Sequence, residues 1–449
     1  MVLCSRFEPC STIPPCPDLR RVFCQAICTH DEDGKFIVNK VVICQLSLED
    51  LCHETMAESR PGHIHLSDSN WDERNTPISL RRLMHIDTHA SKSDTFVSTS
   101  AAYPPTPSPR TYGGHVFAQS AWAAAHTVSF GLHMHSITGY FLLLGDTRYA
   151  FEYRVKRVRD GGVYALRQVE AYQNSKAAEY GKAPVFVCYV SFKRDERKKH
   201  KPGAKGQRQD FEHQECPNEW LKTEYGSVIE HKKFEDWPVS QGMDGMWPEG
   251  SMSIEMWKRR GDAYPGLEMR KIDMKHYARG AVKGALADGG AVARRWRLLQ
   301  LYRIVLDEQE ENKVRRHQQH RTGADDVLNL HACGHLYSSD RNSLFLAQRA
   351  LAFEKCSGHI GSLSHTVNFH SHASDLCMVD GTGRRKVYAQ EAWVSNSGAD
   401  RVCHNSRLWD MESGQILAST VQDGMMRIPL DQNYAIVDGD TLLRREARL

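Results

Sequence analysis

The clearest hydrophobic pattern in this chain is a helix followed by strands, and it occurs twice. The first helix is predicted from Gly113 onward, with apolar residues at helical spacing at Phe117, Ala121, Ala124 and Val128. The second is predicted from Asn342 onward, with apolar residues on nearly every side at Leu344, Leu346, Ala347, Ala350, Leu351 and Phe353. Helices with so little polar surface are buried, so each is expected to lie wrapped in a sheet.

Runs with strand character follow each predicted helix. The first helix is followed by HSITGYFLL, by the hairpin FEYRVKRVRDGGVYALRQVEAYQ and by PVFVCYVSF. The strands predicted after the second helix are 363–370, 387–394, 401–409 and 415–421. One helix with four or five strands is thus repeated around 113–192 and 340–427, which predicts an α+β fold of two helix-in-sheet units.

Composition and pattern divide the chain into five predicted segments. Residues 1–78 form a poorly defined, Cys-rich extension, and residues 79–215 form the first helix-in-sheet unit. Residues 216–290 are a connector, residues 291–430 form the second unit with the candidate chemistry, and residues 431–449 are a tail.

Three polar residues of the second unit are candidates for chemistry. Asp340 stands before the second predicted helix in the position of an N-cap, and Ser362 and Gln422 stand on strands that can face it. A carboxylate, a hydroxyl and an amide in one place can hold a water molecule and accept its proton. Each residue also has a structural alternative: Asp340 as a helix cap, Ser362 as a turn end, and Gln422 as a partner for backbone groups.

Four blocks of the second half resemble the carboxy-terminal half of the acyl-CoA thioesterase II family: LYSSDRNSLF, GSLSHTVNFH, YAQEAW and LASTVQDGMMR. The blocks GGHVFAQ, HSITGYF and RDGGVYA resemble its amino-terminal half. The resemblance implies a double hotdog, in which two helix-wrapped-by-antiparallel-sheet units join into one extended sheet. It also implies that Asp340, Ser362 and Gln422 hold a hydrolytic water, with no metal or organic cofactor. The implied substrate is a fatty or otherwise hydrophobic acyl-CoA.

Backbone N–H groups beside Gly113 and Gly114, or after Asp340, are expected to stabilise the oxyanion of such a reaction. The chain departs from the family pattern near these blocks, at Ser364, Asn368, Ser371 and His372 and through an insertion from Cys377 to Arg385. Two alternatives therefore stay open: a hotdog enzyme that tailors acyl chains in a biosynthetic pathway, and an acyl-CoA-binding protein with a weakened site.

Net charge, apolar run length, absent motifs and cysteine count narrow the range of possible functions further. A net charge of +3 over 449 residues predicts no nucleic-acid partner, and no apolar run is long enough to predict a membrane span. Neither GxSxG nor GxGxxG occurs, so a nucleophile elbow and a dinucleotide loop are not expected. The thirteen cysteines, an odd number without a framework, are expected to be reduced thiols in an intracellular compartment.

Two clusters of Cys and His residues also contain the ligand types of a metal site. The first comprises the cysteines of the extension with three histidines: Cys4, Cys10, Cys16, Cys24, Cys28, Cys44, Cys52, His53, His63 and His65. The second comprises His331, Cys333 and His335, which would share one face of a strand. The extension has no CxxC pair, and the family resemblance places HACGH on a strand that leads to Asp340, so we favour structural roles for both clusters.

The last three residues, Ala447, Arg448 and Leu449, are a conservative variant of the SKL peroxisomal address. They predict a peroxisomal import receptor as a partner and the peroxisome as the compartment, with the cytoplasm as the alternative. The sequence leaves open whether the chain forms a homo-oligomer.

Overall fold

The computed structural model describes residues 23–30, 36–44, 78–103, 110–173, 183–196, 213–229, 232–240, 264–272, 274, 297–307, 326–350 and 359–427. Contacts divide the chain into two compact units, Met1–Pro61 and Gly62–Leu449. In the smaller unit, β1 (Phe23–His30) pairs antiparallel with β2 (Phe36–Cys44). The side chains of the extension, with the Cys and His residues of its metal interpretation, lie outside the described residues, as do Ala447, Arg448 and Leu449.

The larger unit is built from short helices and a long series of strands. Its helices are α1 (Leu80–Met84), α2 (Gly113–Ala125), α3 (Trp220–Ile229), α4 (Asp326–Ser339) and α5 (Phe345–Ala350). Its strands are β3 (Ile86–Thr88), β4 (Thr95–Ser98), β5 (Leu132–Phe141), β6 (Phe151–Asp160), β7 (Tyr164–Gln173), β8 (Phe186–Arg194), β9 (Leu267–Lys271), β10 (Leu298–Ile304), β11 (His359–Phe369), β12 (Tyr388–Gly398), β13 (Arg401–Asp410) and β14 (Ile416–Arg427). No helix in these ranges has the length and apolar character needed to cross a membrane.

Within the described residues of the larger unit, twelve strands form one antiparallel sheet in the order β3-β4-β6-β7-β8-β5-β11-β14-β13-β12-β10-β9. The two halves meet where β5 pairs with β11, with Thr138 opposite Thr366 and their hydroxyl oxygens 3.1 Å apart. This pairing hides one edge of each half. The buried helices α2 and α4 pack against each other on the inner face of the sheet. The predicted double hotdog is confirmed.

The predicted position of the second buried helix is wrong. That helix is α4, which ends at Ser339, so Asp340 follows a long helix and does not cap one. The run HACGH therefore lies on a helix and not on a strand. Asn342 has a positive φ of 56°, which interrupts the helical path before the six-residue α5. The helix was missed because α4 buries polar residues such as His331 and His335 that the hydrophobic pattern does not count.

The predicted connector also contributes to the second half of the sheet. Strand β9 pairs with β10 at the sheet edge, and α3 lies near the surface of β12 and β13. The carboxylate of Glu391, which is buried, accepts hydrogen bonds from the side chains of Trp220, Tyr225 and Trp409 at 3.2, 2.7 and 3.0 Å. These bonds offset the cost of burying the charge and fix the connector on the outer face of the sheet.

Candidate active site

Asp340 lies where the carboxyl end of α4 meets the amino end of α2. Its side chain is buried, and the backbone N–H of Gly114 donates a hydrogen bond to its carboxylate. A Cβ atom placed on Gly113 would lie only 2.8 Å from Oδ2 of Asp340. The approach of the two helices therefore requires glycine at position 113, since any larger residue would displace the carboxylate.

Gln422 connects Asp340 to Ser362. The side-chain Nε2 of Gln422 donates to Oδ1 of Asp340 at 2.6 Å and to Oγ of Ser362 at 2.7 Å. Because both amide hydrogens are used, the hydroxyl hydrogen of Ser362 stays available to another acceptor. The structure thus brings the three residues singled out from the sequence into one hydrogen-bonded set, while their roles in catalysis stay a prediction.

The residues before Asp340 are held by contacts that sequence reasoning did not identify. Nε2 of Gln390 donates to the carbonyl oxygen of Ser339 at 2.9 Å, and Nε2 of His365 lies 2.8 Å from the hydroxyl of Ser339. The hydroxyls of Tyr112 and Tyr264 both donate to the carbonyl oxygen of Tyr337, at 2.7 and 3.0 Å. The last turn of α4 is therefore anchored on several sides, which fixes the backbone from which Asp340 projects.

The surroundings of Asp340 change its acidity. Desolvation by burial raises the pKa of Asp340 from 3.8 to about 6, against the opposing effects of hydrogen bonds from Gln422, Gly114 and Ser343. A carboxyl group with this pKa is ionised at neutral pH but holds a proton more strongly than an exposed Asp. Such a pKa is suited to general-base catalysis near pH 7.

The departures from the family pattern lie around this site without entering the hydrogen-bonded set. Ser364 pairs across the sheet with Tyr140 and Asp423, and Asn368 accepts a hydrogen bond from Ser136 at 2.9 Å. The segment from Cys377 to Arg385 forms a loop between β11 and β12, closed by a bridge between its residues 379 and 385. The insertion therefore extends a connection and leaves the strand pairing of β12 intact.

The histidines of HACGH already have partners. Nδ1 of His331 accepts a hydrogen bond from the backbone N–H of Met378 at 3.1 Å. The ring of His335 bonds to the hydroxyl of Tyr302 at 2.8 Å and to the carbonyl oxygen of Leu376 at 3.0 Å. Across the ranges given above, no group of three or more His, Cys, Asp or Glu side chains is arranged to hold a metal ion.

Sequence comparison gives matches that concern the first half of the chain most directly. Residues 103–193 match the family model described as the acyl-CoA thioesterase N-terminal domain. Acyl-coenzyme A thioesterase 8 of Homo sapiens is 37% identical over 86 residues, which make up 19% of this chain and 25% of that protein. Peroxisomal acyl-coenzyme A thioester hydrolase 1 of Saccharomyces cerevisiae is 30% identical over 123 residues, 26% of this chain and 33% of that protein. The chain thus spans about a quarter to a third of these relatives.

Similar solved structures span more of the chain at low identity. An acyl-CoA thioesterase II, TesB2, from Mycobacterium marinum is 17% identical and covers 79% of this chain and 99% of its own, with a TM-score of 0.45. A hot dog fold protein from Alicyclobacillus acidocaldarius is 13% identical and covers 78% of this chain and 98% of its own, with a TM-score of 0.46.

Asp340 gives the fold a pH dependence of defined sign. Its folded-state pKa of about 6 exceeds the value expected in the unfolded chain, so the folded state binds the extra proton between about pH 4 and pH 6. Stability therefore falls as pH rises through this window. We expect the free energy of unfolding of Asp340→Asn, minus that of the wild type, to increase by about 2 kcal/mol from pH 4 to pH 7 in urea titrations.

The matched control is Asp423→Asn, because Asp423 follows Gln422 directly but forms an ion pair with Arg401 at the surface. The same titrations on Asp423→Asn show how much of any pH-dependent change comes from the loss of a surface carboxylate alone. A flat difference for Asp340→Asn over the same pH range would contradict a raised pKa for Asp340.

Proposed function

We propose that this chain, which belongs to the acyl-CoA thioesterase II family, hydrolyses a fatty or otherwise hydrophobic acyl-CoA to the free acid and coenzyme A. The observation that carries the proposal is the hydrogen-bonded set of Asp340, Gln422 and Ser362 at the amino end of α2. The names of the relatives, which are thioesterases and a thioester hydrolase, support the same reaction.

In this proposal Asp340 is the general base. It accepts a proton from water while the water oxygen attacks the thioester carbon, and the carbonyl oxygen becomes an anion. The C–S bond then breaks, the proton passes from Asp340 to the leaving sulfur, and the acid and the thiol are released. General-base catalysis of this kind contributes about a hundredfold to ten-thousandfold in rate.

In this scheme Ser362 and Gln422 position the reacting groups. The carboxylate of Asp340 and the hydroxyl of Ser362 both accept hydrogen bonds from the same amide nitrogen of Gln422. This shared donor limits how far apart the two oxygens can move. Ser362 can then donate its free hydroxyl hydrogen to the water or to the developing oxyanion. The amino end of α2 adds positive potential at the same place. Before substrate binds, the N–H of Gly114 donates a hydrogen bond to Asp340.

The direct test measures thiol release from palmitoyl-CoA with a thiol-reactive dye. We expect kcat of Asp340→Asn to fall by about a hundredfold to ten-thousandfold because the amide cannot accept the proton. In the wild type, kcat should rise with pH through the Asp340 pKa of about 6 and then level off. Asp423→Asn, the same substitution at a neighbouring surface position, should keep wild-type activity.

Each contrary result has a separate meaning. Unchanged turnover in Asp340→Asn would eliminate Asp340 as the base. Tight binding of palmitoyl-CoA by the wild type without turnover would instead favour the alternative of an acyl-CoA-binding protein with a weakened site.

The close approach at Gly113 yields a second test of the same site. In Gly113→Ala the new methyl group would lie 2.8 Å from Oδ2 of Asp340 and 3.1 Å from the ring of Phe141, so the carboxylate must shift. We expect palmitoyl-CoA turnover to fall between about tenfold and a hundredfold. Gly162→Ala is the control because no atom of the described part of the chain lies within 4 Å of its added Cβ. Equal activities in the two variants would contradict the proposed position of the reacting groups.

We further propose that the chain is imported into peroxisomes through Ala447, Arg448 and Leu449. Support comes from the likeness of these residues to the SKL address and from the peroxisomal name of the yeast relative. An amino-terminal fluorescent fusion should give punctate signal that becomes diffuse when the three residues are deleted and returns when they are replaced by SKL. Punctate signal after deletion would contradict the address.

A further inference from the structure

Three polar side chains lie in one row across the inner face of the second half of the sheet. His365 on β11 is opposite Gln422 on β14, and Gln422 is opposite His404 on β13. All three are fully buried. Directly opposed residues on neighbouring strands have Cβ atoms about 5 Å apart, so Gln422 is flanked by an imidazole on each side.

The hydrogen bonds of this row are unevenly distributed. Within the described residues, Oε1 of Gln422 has no hydrogen-bond partner, and neither ring nitrogen of His404 has one. Nε2 of His365, in contrast, lies on the hydroxyl of Ser339 and holds that ring in place, although its Nδ1 also has no hydrogen-bond partner among the residues that the structure describes. A buried polar atom without a hydrogen-bond partner destabilises the folded state, so an unpaired acceptor and an unpaired imidazole on opposed residues are expected to bond to each other.

The chemistry of the two groups is complementary. Burial lowers the pKa of His404 to about 3, so its ring is neutral at physiological pH and carries one N–H. The carboxamide oxygen of Gln422 is an acceptor only, and both hydrogens of its Nε2 already point to Asp340 and Ser362. The ring N–H of His404 can reach that oxygen by a rotation of the imidazole or through one bridging water.

We propose that His404 is a positioning residue, whose ring N–H holds Oε1 of Gln422 and so keeps Nε2 directed at Asp340 and Ser362. This inference rests on the proposed thioester hydrolysis. When Asp340 is ionised, its negative charge keeps the NH₂ group of the Gln422 amide directed toward it. After Asp340 accepts the proton from water, this preference weakens. A donor on Oε1 then prevents the carboxamide from turning over during the reaction.

The decisive comparison is between His404→Gln and His404→Met. The two new side chains have the same length and similar volume, but only Gln offers an N–H donor. We expect His404→Gln to keep kcat for palmitoyl-CoA within about threefold of the wild type. His404→Met should lose about tenfold or more in kcat with little change in KM, which corresponds to the loss of one oriented hydrogen bond.

A second readout reports on the amide without requiring turnover. In protein labelled with ¹³C at the side-chain carbonyl of glutamine, the Gln422 resonance, assigned by its absence in Gln422→Asn, should move in His404→Met and stay near the wild-type position in His404→Gln. Thermal unfolding is measured for both variants, and His404→Leu takes the place of His404→Met if the latter does not fold.

Equal kcat in the Gln variant and the apolar variant, or a Gln422 resonance that no substitution moves, would overturn the positioning role. A purely structural role predicts losses that follow thermal stability and not the presence of a donor. If the wild type hydrolyses no acyl-CoA but the Gln422 resonance responds as expected, the proposed function fails while the contact between His404 and Gln422 stands.

Discussion

The arrangement of this protein depends on one electrostatic contact, between the carboxylate of Asp340 and the amino end of α2. Asp340 directly follows α4, and the carboxyl end of a helix carries partial negative charge that disfavours an acidic side chain. The amino end of α2 supplies the opposite partial charge together with the N–H of Gly114. The approach of the carboxyl end of α4 to the amino end of α2 is therefore what makes a buried carboxylate tolerable at this position.

The two halves of the fold treat the carboxyl ends of their helices differently. Beyond α2, the guanidinium of Arg167, which is fully buried, donates to the carbonyl and hydroxyl oxygens of Thr127 at 2.9 and 2.8 Å. A cation at a helix carboxyl end is stabilising, and Arg167 also pairs with Asp160. Beyond α4 an acid stands in the equivalent place and needs outside support. Under the proposed function, the helix of the first half therefore ends in a structural contact and the helix of the second half ends at the general base.

The sequence predicted the strands better than the helices. Alternation along β6 and β7 and the apolar run of β8 were sufficient, because most of the buried positions there carry apolar residues. The helix α4 was missed because Asn329, His331 and His335 are buried through specific hydrogen bonds, which no periodicity reveals. The meeting of Asp340 with Gln422 was expected only from the family resemblance, since 82 residues separate them.

The position of Ser362 shows most directly why the hydrophobic pattern alone does not predict the site. Strict alternation along β11 would direct Ser362 and Ser364 to the same face and His365 to the other. The register instead shifts between Ser362 and Ser364, so Leu363 is an extra residue in the ladder. Ser362 and His365 can then both reach the inner face, where one contacts Gln422 and the other Ser339. A bulge of one residue thus allows the hydroxyl and the imidazole to serve the same site, at the cost of a locally interrupted strand.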